Sequence, residues 1–190
     1  MTRSGISSAS TSTPSPARLS ATVLLLRDGP TGLEVYLMVR HHQTGFAAGA
    51  LVFPGGKLTA EDSEPSVRTR CSGMDQVPDG QFGLRVAAIR EAFEECGVLL
   101  ARAPGSNSPL APSRVAELGL RYRKPLDRGE VGIGQMLEVE DLELTGEALV
   151  PFAHWVTPVH LPQRFDTYFY LAAAPPDQLA AHDGSELVDS

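Results

Sequence analysis

Residues 84–97 read LRVAAIREAFEECG, and the fold turns on how this stretch is read. It predicts a helix over Leu84–Cys96, stopped by Gly97 just past the last helical residue, where glycine adopts the left-handed conformation most cheaply. With Glu91 at the origin of a helical wheel, Glu94 falls about 60° to one side and Glu95 about 40° to the other, so three carboxylates share one narrow face. Val86, Ile89, Phe93 and Cys96 lie opposite, as the stripe expected to face the core. Alone, the acidic face is unfavourable. Glu94 and Glu95 occupy the last turn, at the negative end of the helix dipole, where each costs ~0.3–1 kcal/mol. Glu91 and Glu95 are like charges four residues apart, worth another ~0.2–0.5 kcal/mol. Arg90 can reach Glu94 at the same spacing. A solvated acidic face is the plain reading; a divalent cation, which takes carboxylate oxygens, would reverse the sign.

The neighbouring segments supply the setting. Phe53-Pro54-Gly55-Gly56-Lys57 is a strand end followed by a glycine pair, which allows close backbone approach to a ligand or serves as a simple tight turn. Upstream, Ala21–Leu26 and Leu33–Arg40 read as two strands of a hairpin, with Ala50–Phe53 a third, short strand. Residues 63–83 are polar and turn-rich and read as a surface excursion. Pro112–Arg123 and Leu126–Leu137 are candidate helices, Leu149–Pro158 and Phe165–Ala172 strands, and Asp177–Ser185 a loop. Helices and strands mix without regular alternation, which predicts an α/β (α+β) domain with a mixed sheet.

The whole chain sets outer bounds. At 190 residues it is long enough for one domain with its own core. Residues 1–19 are rich in Ser, Thr and Pro and predict a disordered tail ahead of a domain over 20–190. That tail is acid-free, like a transit peptide, but lacks amphipathic periodicity. A net charge of −7 argues against nucleic acid and anionic membrane as partners, and an anionic substrate would need a local cation. No apolar run is long enough to span a bilayer. Cys71 and Cys96 fit a reduced, cytoplasmic setting better than a disulfide framework.

Arg90–Val98, REAFEECGV, matches REUxEExGU (U a bulky apolar residue) with Ala92 in the first apolar slot. Gly56 with Asp62 six residues on resembles the front half of the same motif. Together they resemble the Nudix box of the Nudix hydrolases. Two departures stand out: Asp62 replaces the usual Glu, and it precedes Arg90 by 28 residues, which marks residues 63–82 as an insertion in the box. The phrases FPGG (53–56), LRVAAIRE (84–91), WVTP (155–158) and RFDT (164–167) resemble the branch that includes peroxisomal coenzyme A diphosphatases.

The resemblance implies an α/β/α sandwich and hydrolysis of a pyrophosphate in a nucleoside diphosphate linked to another moiety, with Mg2+ or Mn2+. Coenzyme A or an acyl-CoA is the implied substrate; ADP-ribose, a nucleotide sugar, a dinucleoside polyphosphate or a non-catalytic nucleotide sensor are the alternatives. It assigns Glu91, Glu94 and Glu95 to the metal, with the Gly55 carbonyl as a further ligand, and Arg90 to orienting the carboxylates. Glu91 or Glu186 would be the general base. Arg40, Lys57 and Arg164 are candidate substrate cations, and Arg40 opens the RHHQTG stretch that stands where a coenzyme A signature is expected. Trp155 and Phe165 are expected in the core. Nudix folds usually continue past the point corresponding to Ser190, so the C-terminal helix is expected to be absent and the far side of the sandwich to be supplied by a partner subunit in a homodimer or missing through truncation.

Overall fold

The computed structural model describes residues 15–39 and 49–178. Its framework is strand β1 (Arg18–Gly29), which starts two residues before the expected edge of the ordered domain. It turns through Gly29 and Gly32 into antiparallel β2 (Gly32–Val35), as the hairpin reading required. The second predicted strand is shorter than expected: it breaks at Tyr36, whose amide still donates to Leu25 O, and resumes as β3 (Met38–Val39), paired with β4 (Leu51–Val52). Arg40, His41 and His42 lie outside the described residues.

The glycine pair is itself a strand. β5 (Gly55–Lys57) pairs antiparallel with the first half of β1, so that β5 and β2 share one edge of it in succession. A Cβ on Gly55 would fall 2.5 Å from Ala21 O and 2.8 Å from Thr22 Cα, so only glycine fits there.

The inserted stretch is built into the core rather than thrown onto the surface. A 3-10 turn at Glu61–Ser63 leads to the short helix α1 (Pro65–Arg68) and strand β6 (Cys71–Ser72). Val67, Met74 and Phe82 are buried. Arg68 stacks 4.1 Å over the Phe82 ring and pairs with Asp79, which ties the insertion to the next helix.

That helix, α2 (Asp79–Cys96), begins five residues before the predicted start and ends at Gly97, where φ is +73°. From Phe82 to Cys96 only Arg85, Glu91 and Glu95 escape full burial. The one-sided wheel therefore needs correction. Leu84, Ala87 and Ala88, on the carboxylate side, are as buried as Ile89 and Phe93, because α2 packs against β1 and β5 and also against α3 (Pro112–Asp127). Between them runs β7 (Ala101–Arg102).

The second predicted helix of this region starts later than expected. Gly129, at φ +64°, ends the run, and α4 spans Ile133–Val139. A further strand, β8 (Glu143–Thr145), pairs with β6 and β7 in a small sheet. The chain closes the main sheet with β9 (Val150–Val156) antiparallel to β10 (Phe165–Ala173), which lies parallel to β1.

Helices and mixed sheets match the expected α/β class. β9 is the edge of the main sheet, and all seven of its residues are exposed. Trp155, expected in the core, is 68% exposed for that reason. On the face away from α2, Leu24, Leu26, Phe169 and Leu171 are only half-buried. No helix among the described residues is long and apolar enough to cross a membrane.

Candidate active site

Two carboxylates of α2, Glu91 and Glu95, lie against the glycine strand. Glu95 Oε2 accepts a hydrogen bond from the Gly55 amide at 2.8 Å. A Cβ on Gly56 would fall 2.2 Å from Glu91 Oε1, so the bare glycine makes room for that carboxylate. Gly55 thus reaches the acidic face through its N–H.

Arg90 organises the rest. Its guanidinium grips Asp62 with two bonds, Nε to Oδ1 at 2.8 Å and Nη2 to Oδ2 at 3.1 Å. Nη2 also donates to Lys57 O at 2.9 Å. Nη1 donates to Glu91 Oε1 at 2.9 Å and to both Glu94 oxygens at 3.1 and 3.2 Å. Asp62 is fully buried, and its Oδ2 takes two more donors, the Thr59 amide and hydroxyl. The 28-residue detour thus returns its acid to Arg90, as the shorter spacing of the family motif would. The 3-10 turn holds Asp62 on α2, and the extra chain folds into the body beyond it.

The electrostatics follow from this packing. Burial alone would lower the Arg90 pKa, but its bonds to Asp62 and the nearby charges of Glu91, Asp62 and Glu94 raise it well above the ordinary value. Burial pushes the Glu94 carboxyl up to about 7, against the pull of Arg90 and helped by the charges of Glu91 and Asp127.

A cleft of about 500 Å3 opens over this cluster, lined by Gly55, Gly56 and Lys57 on one side and Glu91, Glu94 and Glu95 on the other. Asp127 and Phe165 also line it. Lys57 is exposed there. Arg164 is not among the lining residues; its guanidinium donates to Thr157 O at 3.1 Å and Ser15 O at 2.6 Å, clamping the β9–β10 connection. Phe165 lines the cleft instead of filling the core. Arg40 and Glu186 lie outside the described residues. Cys96 is buried, its thiol donating to Ala92 O, as expected of inert packing.

The donor set suits a hard cation, since Glu91, Glu94 and Glu95 all offer carboxylate oxygen to the cleft. Among the described residues no three such side chains converge as a finished cage. Glu91 and Glu94 turn toward Arg90, and Glu95 turns toward Gly55. Sequence reasoning did not find Arg123 of α3, which donates to Glu94 O at 3.0 and 2.8 Å and to Glu95 O at 3.0 Å. Nothing local marks it, because the contact exists only once α3 lies across the end of α2.

Known proteins resemble this chain in sequence and in fold. Acyl-coenzyme A diphosphatase NUDT19 of Gallus gallus is 29% identical over 190 residues, covering 75% of this chain and 49% of that protein. The protein of the same name from Xenopus laevis is 26% identical over 192 residues, with 81% of this chain and 50% of its own length covered. The Homo sapiens protein is 29% identical over 180 residues, with 74% and 48% covered. The chain therefore spans about half the length of the curated relatives it matches. Among solved structures, a NUDIX hydrolase from Alicyclobacillus acidocaldarius superposes with a TM-score of 0.68 at 28% identity, covering 91% of this chain and 77% of that one. The family model described as the NUDT19 Nudix domain matches residues 66–190, which takes in the whole of α2 and its carboxylates, and the chain belongs to that family.

Proposed function

We propose that this chain is a pyrophosphohydrolase that uses a divalent cation, Mg2+ or Mn2+, to cleave the diphosphate of a coenzyme A-type nucleotide. The observation that carries the reading is the cleft lined by three α2 carboxylates and the Gly55–Gly56 strand, with Arg90 cross-linking two of the carboxylates to buried Asp62. A diphosphate would be repelled by bare glutamates, so the site needs a cation to admit it. Once bound by Glu91, Glu94 and Glu95, that cation would offset the phosphate charge, polarise a phosphoryl oxygen and acidify water.

The chain's own residues do the rest. Arg90 fixes the rotamers of Glu91 and Glu94 through charge-assisted bonds, so little ordering remains when ligand arrives. Glu91 is the more accessible of those two, its side chain 14% exposed against 5% for Glu94, and it serves as the base that takes a proton from water. Lys57 holds a substrate phosphate from the strand side. The coenzyme A moiety follows from the curated relatives' names, and a small nucleotide suits a cleft of this size in a chain of net charge −7 better than a nucleic acid or a membrane does.

The test is hydrolysis with and without Mg2+ or Mn2+ over a panel of coenzyme A, acyl-CoA, ADP-ribose, a nucleotide sugar and a dinucleoside polyphosphate. Metal-dependent release of a phosphopantetheine product from coenzyme A supports the reading. Preferred turnover of another member moves the substrate, and binding without turnover of any member favours a nucleotide sensor.

A further inference from the structure

The last turn of α2 has a feature that the metal ligands alone do not explain. Carbonyls at a helix C-terminus have no partner within the helix. Here Gly97 N returns to Phe93 O, while the Glu94 and Glu95 carbonyls are both taken by one side chain, Arg123, reaching in from α3 with three hydrogen bonds of 2.8–3.0 Å. Glu94 and Glu95 are the residues whose carboxylates line the cleft. Arg123 therefore grips the backbone of two proposed metal ligands while touching neither carboxylate in these bonds. Gly97 lies alongside: a Cβ there would stand 3.6 Å from Arg123 Nη1.

We infer that Arg123 is a positioning residue for cation binding: it locks the backbone of Glu94 and Glu95 so that their carboxylates keep their places along the cleft. This rests on reading the α2 carboxylates as the metal site. The planar guanidinium suits the task because one fork spans two successive carbonyls, which a lysine ammonium does less well. The rival account is electrostatic. Arg123 also places a positive charge at the negative end of the helix dipole. By Coulomb's law that charge alone would repel an incoming cation. Ordering and charge thus predict opposite signs for its removal.

The experiment is Mn2+ binding by the metal-free full-length chain, read by calorimetry or by the electron paramagnetic resonance of free Mn2+, without substrate. Arg123→Gln is expected to bind Mn2+ about 10–100-fold more weakly, the range typical of losing an outer partner of a metal ligand. Arg123→Lys, whose ammonium can keep one carbonyl bond but not span both, should fall between wild type and Arg123→Gln if ordering outweighs charge. Leu118→Ala, a buried apolar truncation on the same helix, should lower thermal stability more than Arg123→Gln while leaving Mn2+ affinity nearer wild type. In turnover, Arg123→Gln should shift the Mn2+ requirement and lower kcat with KM for the nucleotide little changed. Unchanged or tighter Mn2+ binding by Arg123→Gln overturns the inference, as does equal weakening by Leu118→Ala. A wild-type chain that takes up no Mn2+, or a Glu95→Gln chain that binds as well as wild type, overturns the metal reading itself and this inference with it.

Discussion

The Arg90 side and the Phe93 side of α2 are both buried, yet opposite chemistry closes them. Around Phe93, Val86 and Ile89 the helix meets mainly apolar neighbours, and the polar groups there, the Arg85 guanidinium and the Cys96 thiol, turn to the backbone carbonyls of Leu149 and Ala92. Around Arg90 it encloses a guanidinium, two glutamates and a foreign aspartate, held by seven hydrogen bonds from the Arg90 side chain and the Thr59 amide and hydroxyl at 2.8–3.2 Å. Burial therefore does not separate core from site in this molecule. The difference lies in what a substitution would disturb, packing in one case and a poised set of charges in the other.

The sharpest break of this comparison should come from Glu95→Gln. It keeps the shape and the acceptor for Gly55 N but removes the anion, so turnover should fall about a thousandfold or more, several kcal/mol of transition-state stabilisation. Metal-free thermal unfolding should be unchanged or slightly improved, since a like charge leaves the helix end. A large drop in metal-free stability would mean that Glu95 is structural.

Phe93→Ala should give the reverse pattern. Truncating this fully buried ring should cost about 3–5 kcal/mol of stability by denaturant titration. Activity per folded molecule should fall far less than in Glu95→Gln. Asp62→Asn sits between the two. It leaves the Arg90 charge buried without its main anion, costing about 3 kcal/mol, and it also frees Arg90 to shift, so stability and turnover should fall together. Asp62→Glu keeps the charge and should recover part of both; no recovery would mean that the 3-10 turn, not the ion pair, sets the site.

The two sides were unequally legible in the sequence. The spacing of Arg90, Glu91, Glu94 and Glu95 and the stop at Gly97 are local signals, and the helix carries them as written. The burial of that helix on its acidic side was not legible, because Leu84, Ala87 and Ala88 are buried by contacts with distant strands and α3 rather than by the periodicity of α2 itself. Val67, Met74 and Phe82 were lost in a stretch whose average composition is polar, and single anchors do not alter an average. Asp62 could be found only through its distance from Gly56, since its distance from Arg90 is masked by the insertion. Trp155 failed the other way: an aromatic in a strand reads as core, and only the strand order reveals that β9 is an edge.

The smallest effect, and the one that tests whether the charged side is truly desolvated, concerns pH. Glu94 ordinarily titrates near 4.5, and burial raises it in the folded chain to about 7. Between these values the folded chain holds a proton that the unfolded chain has lost. Stability of the metal-free protein should therefore fall as pH rises from about 4.5 to about 7 and be flat above, with a slope from this group of at most about 1.4 kcal/mol per pH unit. The groups acting on Glu94 are Arg90 and Glu91 of its own helix and Asp127 of α3. Other carboxylates titrate in the same window, so the quantity to measure is the difference between wild type and Glu94→Gln in chemical denaturation across pH 4–8. The wild type should lose stability relative to the variant as pH rises. A difference that stays flat, or that grows in favour of the wild type, would mean that Arg90 outweighs burial and keeps Glu94 ionised, making the charged side of α2 a satisfied ion-pair network even before any cation arrives.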